Sequence, residues 1–395
     1  MVHSILIVFQ IVAGFGCVSS CFYYLLCLWS AGSFLRTREA GRSARSTPPS
    51  LTSPLPPVSI LKPLKGVDPD IYQSFRSHCL QDYPEYEIIF GVSDPGDPAV
   101  ASVRQLQLEF PERAIHLVVC DKILGTNVKV SNLAQMLPEA RYQYLIVNDS
   151  DIHVERDYLR RAMAPFADSR IGMVTCLYRG LAASTLGSQL ESLGIATDFC
   201  AGVLVARQLE GGLHFGLGST LAFRSTDLEL AGGFEVIVDF LADDYELGRR
   251  ISALGLQVQL SEVVVETHLP AYTMRGFLAH QLRWARGVRD ARTGGYAGLV
   301  ATFGLMWALL NLLAAKAAPW SWVVLGVVLV MRLAVAVVVG KTILRDRQLL
   351  GNLWLLPVRD LVAVLVWVAS FMGHGVTWRG DRFELKDGRL RRRDH

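Results

Sequence analysis

Two aspartates separated by one residue follow an apolar segment and are the first candidates for chemistry. Leu145 to Asn148 is typical of the end of a buried strand, and Asp149, Ser150 and Asp151 come directly after it. Two carboxylates on a turn after a strand can converge on one divalent cation, and their hard oxygen atoms suit Mg²⁺ or Mn²⁺. The alternative is a polar turn in which Asp149 or Ser150 caps the next helix. The pair alone does not decide between these interpretations.

A second acidic cluster opens a predicted helix in "FLADDYELGRRI", residues 240–251. Asp243, Asp244 and Glu246 stand in its first turn, where negative charge complements the helix dipole. One of these carboxylates could instead remove a proton from the hydroxyl group of an acceptor substrate. We take Asp244 as the candidate base.

A basic helix is predicted in "FLAHQLRWARGVRDAR", residues 277–292. One face carries arginines and the other is apolar, which is typical of an amphipathic helix lying on the cytoplasmic surface of a membrane. That position does not exclude a catalytic role for Arg283 and Trp284. The predicted helix leads into an apolar run that begins at Leu299.

Alternating strand and helix patterns between residues 58 and 149 predict how the acidic groups are positioned. The strands "VSILKPL", "YEIIFGVSD", "AIHLVVC" and "YQYLIVND" are separated by helical segments. Units of this length indicate an α/β fold with a mainly parallel sheet and helices on both faces. Ligands bind such sheets beyond the carboxyl ends of the strands. Asp94 and Asp149 both stand at strand carboxyl ends, so we expect them at the same edge.

The apolar residues, 51% of the chain, are concentrated at its two ends. The stretch Ile5 to Trp29 exceeds a typical signal-peptide core and lacks a basic segment before it, which favours a retained membrane anchor. Arginines follow it, so the positive-inside rule places the next domain in the cytoplasm. Residues 299–315, 320–340 and 353–372 are also apolar. Three full crossings would put the basic tail outside, so we expect one of these runs to be re-entrant or interfacial.

These patterns predict a multi-pass protein of the cell membrane, with a bacterial inner membrane as the expected location. The predicted divisions are an anchor (1–32), a linker (33–57), an α/β domain (58–270), an amphipathic helix (271–295), membrane segments (296–375) and a basic tail (376–395). The net charge of +3 is weak, and no aromatic-basic pattern accompanies the basic clusters, so no nucleic acid is expected as a partner. The seven cysteines show no metal-type spacing and are expected to be reduced.

The order of several motifs resembles the ceramide glucosyltransferase family. The similar segments are "ILKPLKGVDPDI", "QDYPEYEI", "VSDPGDPA", "GTNVKVSNL", "NDSD", "GLGSTLAFRSTDLELAGGF", "LADDYELG" and the tail "TWRGDRFEL". The resemblance covers roughly residues 55–290. It departs from the family at the last motif, where His280 replaces a glutamine or arginine and Gln281 stands one place late. Bacterial hopanoid-associated N-acetylglucosaminyltransferases share much of the pattern.

This resemblance implies a GT-A fold, which is Rossmann-like, and an inverting reaction with a UDP-sugar donor. It implies that Asp94, Lys129 and Asp149 bind the donor and that Asp149 and Asp151 hold Mg²⁺ or Mn²⁺ on its diphosphate. Asp244 is the implied base. Arg283 is expected to contact the diphosphate and Trp284 to pack beneath the acceptor. The expected acceptor residues are Ser219, Thr220 and His280; for Ser219 and Thr220 a tightly packed turn is the alternative.

The expected reaction moves one hexose to the hydroxyl of a membrane lipid, most simply glucose to ceramide. Transfer of N-acetylglucosamine to a hopanoid lipid is the alternative within the same class. The alternatives from other classes of protein are a catalytically inactive membrane scaffold and a processive polysaccharide synthase. The synthase would need more membrane spans than the C-terminal region offers.

Overall fold

A computed structural model describes residues 2–46, 55–378 and 381–392 of the chain. The chain divides into two compact units. One unit contains residues 42–181, 209–270 and 383–395, and holds the sheet. The other contains residues 1–41, 182–208 and 271–382, and is mainly helical. Residues 47–54 of the predicted linker (33–57) lie outside the described residues. The first helix continues to Ser46, so residues 33–46 are helical and are not part of an extended linker.

The sheet unit is built on eight strands in the order β3-β2-β1-β4-β7-β6-β8-β5. The strands are β1 (Val58–Leu64), β2 (Tyr86–Val92), β3 (Ala114–Val119), β4 (Tyr144–Val147), β5 (Ile152–His153), β6 (Ile171–Leu181), β7 (Leu221–Arg224) and β8 (Gln257–His268). The first four pair in parallel, β6 and β8 also pair in parallel, and β7 is antiparallel to both of its neighbours. The predicted α/β fold with a mainly parallel sheet is therefore confirmed.

Some of the helices belong to the sheet unit, and the others form the second unit. They are α1 (Val2–Ser46), α2 (Ile71–Cys79), α3 (Ala99–Glu109), α4 (Val128–Met136), α5 (Tyr158–Met163), α6 (Leu186–Gly194), α7 (Cys200–Leu209), α8 (Ser225–Leu230), α9 (Asp243–Ala253), α10 (Met274–Ala291), α11 (Thr293–Gly298), α12 (Gly304–Ala314), α13 (Pro319–Ala336), α14 (Leu349–Asn352) and α15 (Leu356–Ser370). Short strands β9 (Gly375–Trp378), β10 (Asp381–Lys386) and β11 (Arg389–Arg392) follow.

Strands β1 and β2 are buried at every position, as expected for parallel strands covered on both faces. Because β2, β1 and β4 are parallel neighbours, their carboxyl ends meet at one edge of the sheet. Asp94 and Asp149 follow β2 and β4 there, as the strand pattern predicts.

In the part of the chain that the structure describes, four helical segments are long and apolar enough to cross a membrane: Leu6–Ala40, Leu186–Leu209, Pro319–Ile343 and Leu349–Ser370. A further pair, residues 293–302 and 304–314, is bent by 48° at its junction, which fits either a broken span or a re-entrant loop. The expectation that one C-terminal run does not cross fully stays a prediction. The segment Leu186–Leu209 lies in the helical unit, although the sequence pattern groups it with the α/β domain.

Charged residues inside the apolar helices are paired with one another. Arg332 of α13 lies 2.6 Å from Asp198 and 2.7 Å from Asp360 of α15. Arg359 lies 3.2 Å from Asp198, which sits in a π-helical turn at Ile195–Phe199. Because an unpaired charge in an apolar environment is costly, this cluster explains how runs with Arg332, Arg359 and Asp360 remain packed.

Candidate active site

The centre of the site is an ion-pair cluster at the carboxyl-end edge of the sheet. The Lys129 ammonium lies 2.7 Å from Asp149 Oδ1 and 3.1 Å from Asp243 Oδ2. Burial alone would lower the pKa of Lys129, but the carboxylates of Asp149, Asp243 and Asp244 raise it above its ordinary value. Lys129 therefore stays charged, and its ammonium group places a positive charge beside the turn that follows β4.

Asn127 fixes the start of helix α4, which carries Lys129, by capping the helix and by bonding to the segment before α9. The Asn127 side chain caps the helix by accepting from Val130 N at 3.3 Å. The same amide donates to Phe240 O at 2.8 Å. Asn127 N donates to Val238 O at 2.7 Å, so the α4 start is tied to the segment that leads into α9. Lys129 and Asp243 meet because these two loops are joined.

Asp244 is half-buried, and backbone donors hold its carboxylate. Its Oδ2 accepts from Gly218 N at 2.7 Å, and its Oδ1 accepts from Tyr245 N at 2.8 Å. A Cβ atom on Gly218 would lie 2.9 Å from Asp149 Oδ2 and 3.3 Å from Asp244 Oδ2, so the two carboxylates flank this glycine. Burial, followed by repulsion from Asp243, raises the pKa of Asp244 to about 6. A carboxylate with such a pKa suits proton transfer near neutral pH.

Asp149 and Asp151 have different partners. The Asp149 side chain is 41% exposed and pairs with Lys129, whereas Asp151 Oδ2 accepts from Thr267 Oγ1 at 2.5 Å. Burial and the nearby Asp149 charge raise the pKa of Asp151 to about 6. Within the described residues, no three His, Cys, Asp or Glu side chains are grouped so as to hold a metal ion. Mg²⁺ commonly takes only one or two protein carboxylates plus water and substrate phosphates, and the exposed Asp149 fits that role.

Lys62 is a residue that the motif analysis missed. It lies in the apolar strand β1, is 0% exposed, and donates from Nζ to Asp149 O at 3.1 Å. Burial lowers its pKa to about 7, although Asp151 and Asp149 oppose this shift. The only available signal was a lysine within an otherwise apolar strand. Lys62 fixes the backbone of the turn that presents Asp149.

We expect Lys62→Met to separate stability from activity. Methionine is apolar and similar in length, so the variant removes the cost of burying an ammonium group. The melting temperature should therefore stay level or rise, while kcat/KM should fall by about tenfold because Asp149 O loses its donor. Thermal unfolding and steady-state kinetics measure the two effects, with Lys65→Met as the matched control. A lowered melting temperature with unchanged kinetics would show that Lys62 serves only the fold.

Asp94 is exposed in the turn after β2. Its Oδ1 accepts from Gly96 N at 2.8 Å, which holds the carboxylate in that turn. The strand arrangement places Asp94 and Asp149 after strands that both flank β1. A donor-binding role for Asp94 stays a prediction.

Ser219 and Thr220 lie inside the sheet unit. The Ser219 hydroxyl donates to Cys176 O at 2.8 Å, and Asn148 Nδ2 donates to Thr220 Oγ1 at 3.2 Å. Both residues are buried, as a tightly packed turn requires. Gly248 allows helix α9 to approach the neighbouring Gly216, because a Cβ on Gly248 would lie 2.2 Å from Gly216 N. An acceptor role for the two hydroxyls stays a prediction.

The Arg-Trp motif lies on α10 in the helical unit. His280 stacks on Tyr272 with ring centroids 5.4 Å apart, and Trp284 meets Phe199 edge-on at 5.6 Å. The Arg283 guanidinium lies 6.0 Å from the centre of the Trp378 ring. The catalytic role of Arg283 and Trp284, and the acceptor role of His280, stay predictions.

Gln281 stands beside the motif and is bound within the helical unit. Its Nε2 donates to Glu191 Oε2 at 2.7 Å, and its Oε1 accepts from Arg359 Nη2 at 3.0 Å. Gln281 therefore links α10 to α6 and to α15.

The fold that the sheet order describes is of the GT-A type, as the resemblance implies. The fold matches a mannosyltransferase from Pyrobaculum calidifontis solved with GDP-Man and Mn²⁺, with a TM-score of 0.53 and 19% identity over 94% of this chain and 99% of that one. The chain matches glycosyl transferase family 21 over residues 12–391 and belongs to that family.

Among the relatives named ceramide glucosyltransferase are two from Caenorhabditis elegans. Ceramide glucosyltransferase 1 is 23% identical over 359 residues, which cover 85% of this chain and 73% of the relative. Ceramide glucosyltransferase 3 is 25% identical over 235 residues, which cover 59% of this chain and 51% of the relative. The expected resemblance to this family is thereby confirmed, and the protein is a glycosyltransferase.

Proposed function

We propose that the protein transfers one hexose from a UDP-sugar to the hydroxyl group of a membrane lipid, with inversion at the anomeric carbon. Glucose and ceramide are the proposed sugar and acceptor, because the named relatives are ceramide glucosyltransferases. The observation that carries the proposal is the half-buried Asp244 carboxylate, held by Gly218 N beside the Lys129–Asp149 ion pair. Helices apolar enough to cross a membrane support a lipid acceptor.

In the proposed reaction Asp244 takes the proton from the acceptor hydroxyl as its oxygen attacks the anomeric carbon. The bond from that carbon to the UDP oxygen breaks in the same step, so no covalent enzyme intermediate is needed. The backbone donors at Gly218 and Tyr245 fix the carboxylate in orientation before substrate binds. Lys129 supplies positive charge close to the place where the diphosphate departs.

A divalent cation, Mg²⁺ or Mn²⁺, is proposed as the cofactor, with Asp149 as its protein ligand. The mannosyltransferase of similar fold was solved with Mn²⁺. The cation would offset negative charge on the departing UDP. Asp149 is suited to this role because its side chain is 41% exposed, whereas one oxygen of Asp151 is occupied by Thr267. Asp151 remains the second predicted ligand.

Activity and stability should change in opposite directions with pH. The pKa of Asp244 rises from 3.8 to about 6 on folding. Only the ionised carboxylate can accept a proton, so kcat/KM should rise through about pH 6 and then level. The same shift favours the protonated carboxyl in the folded state. Its contribution to stability is complete below about pH 4 and is lost as the pH rises through about 6.

Steady-state kinetics and thermal unfolding over the same pH series measure both effects. The Asp244→Asn variant provides the control, because it lacks the titrating carboxyl and should lose that part of the pH dependence of stability. A kcat/KM that is flat from about pH 5 to about 8 would contradict the role of Asp244 as base.

Mass spectrometry of lipids tests the proposed substrates. Purified protein is incubated with UDP-glucose or UDP-N-acetylglucosamine, Mn²⁺, and either ceramide or a hopanoid lipid. We expect one added hexose on ceramide with UDP-glucose. A single N-acetylhexosamine on the hopanoid would support the alternative acceptor, a polymer would indicate a synthase, and no product in any arm would indicate a scaffold.

A further inference from the structure

The C-terminal hairpin of strands β10 and β11 is packed on the sheet unit. The two strands pair antiparallel, from Phe383 opposite Arg392 to Lys386 opposite Arg389. Phe383, Leu385 and Leu390 are buried, whereas the arginines of β11 are exposed. A two-stranded hairpin is marginally stable alone, so its buried apolar side chains indicate that it belongs to the folded unit.

The hairpin contacts the segment that leads into helix α9. Leu390 N donates to Asp239 O at 2.7 Å, and Leu241 N donates to Gly388 O at 3.0 Å. These bonds flank an antiparallel bridge between Phe240 and Arg389, so β11 adds as a short strand beside residues 239–241. The Arg389 guanidinium also lies 5.0 Å from the centre of the Phe240 ring.

Gly388 is required by this close approach. Its φ of +76° lies in the left-handed region, and an added Cβ would come within 3.2 Å of the Phe240 ring. Any side chain at this position would strain the backbone and would also lie too close to the Phe240 ring. The turn of the hairpin is therefore shaped to fit against Phe240.

The hairpin also contacts the loop before α4. The Thr126 hydroxyl lies 3.0 Å from Leu390 O and 2.9 Å from Asp239 Oδ1. Thr126 N donates to the same Asp239 oxygen at 2.9 Å. Strand β11 thus contacts both loops. Thr126 precedes Asn127, which caps the helix that carries Lys129. Phe240 lies shortly before Asp243 and Asp244.

We infer that the C-terminal hairpin is a positioning element of the donor site, which sets the spacing between Lys129 and Asp243 by clamping the 126–127 and 239–241 loops together. This rests on the proposed function only in taking the site to bind a nucleoside diphosphate. The hairpin acts through these loops. The contacts with them are made by Gly388, Arg389 and Leu390.

The test compares two truncations of the full-length protein. A stop after Arg382 removes the hairpin, and a stop after Arg392 removes only the last three residues of the chain. UDP binding is measured by titration calorimetry with Mn²⁺, which needs neither the sugar nor the acceptor. We expect the shorter protein to bind UDP at least about tenfold more weakly, equivalent to losing one or two hydrogen bonds to the loops, and the longer one to match the full chain.

Two point variants keep the test informative where the truncation fails to fold. Gly388→Ala strains the turn against Phe240, and Arg391→Ala changes an exposed residue of the same strand as its matched control. Gly388→Ala should weaken UDP binding and increase amide exchange in residues 124–130 and 238–245, with little change in melting temperature.

The possible results separate this inference from the proposed function. If the full chain binds UDP and Gly388→Ala binds it equally well, the clamp is wrong and the function stands. A Gly388→Ala protein whose melting temperature falls while UDP affinity is kept would also refute the clamp, because the hairpin would then serve stability alone. If the full chain does not bind UDP, the proposed function itself fails.

Discussion

Asp244→Asn should reduce sugar transfer by roughly 10³-fold or more, because a positioned general base contributes about 10²–10⁴-fold and asparagine accepts no proton. The amide oxygen can still accept from Gly218 N, so the link to residue 218 is kept, while the bond from Tyr245 N is lost. UDP affinity should therefore remain near that of the unchanged protein. Turnover assays and titration calorimetry measure the two properties on the same preparation.

The control for this variant is Asp168→Asn. Asp168 is an exposed carboxylate of the same unit that pairs with Arg170 at 2.7 Å. Its removal should leave transfer unchanged. Near-normal turnover by Asp244→Asn would show that another group is the base. Asp243 would then be the first candidate, because it lies beside Lys129.

Asp149→Ala should lower kcat/KM by roughly 10²–10⁴-fold, because it removes the proposed cation ligand, worth several kcal/mol. It also leaves Lys129 with Asp243 as its remaining close carboxylate. In contrast to Asp244→Asn, this variant should lose UDP affinity in the presence of Mn²⁺. Chelation with EDTA should inactivate the unchanged protein, and added Mn²⁺ should restore it.

The interaction of Asp149 with Lys129 can be measured by a double-mutant cycle. Because the two side chains are 2.7 Å apart, the effects of Asp149→Ala and Lys129→Met on UDP affinity should not add. Strict additivity, or an Asp149→Ala protein that responds to Mn²⁺ as the unchanged protein does, would contradict the proposed donor site.

The fold was predictable where the sequence patterns are local. The strands at Val58, Tyr86 and Ala114 each stand between turn residues and are apolar, so their type and order follow directly. The segment Leu186–Leu209 is less obvious, because it carries polar residues and its mean hydropathy is 1.2, against 2.7 for Pro319–Ile343. Much of its surface is buried inside the protein, where pairing of Asp198 with Arg332 compensates the charge.

The sequence predicts those parts of the site in which the position of a residue in its strand or helix determines where it lies in the fold. Asp94, Asp149 and Asp244 stand at element ends, and strand order brings the first two to one edge. Long-range pairs leave no such signal: Lys62 binds Asp149 O from 87 residues away. The i, i+2 spacing of Asp149 and Asp151 suggested one shared ligand, whereas their partners in the fold are Lys129 and Thr267.

The most direct test of the central claim is the anomeric configuration of the lipid product, measured by proton NMR. The protein is given α-linked UDP-glucose and ceramide, and the product of the unchanged protein is compared with that of Asp244→Asn. We predict a single β-linked glucose on the lipid hydroxyl, formed only when Asp244 is present. An α-linked product, or a β-linked product formed equally well by Asp244→Asn, would contradict direct displacement assisted by this carboxylate.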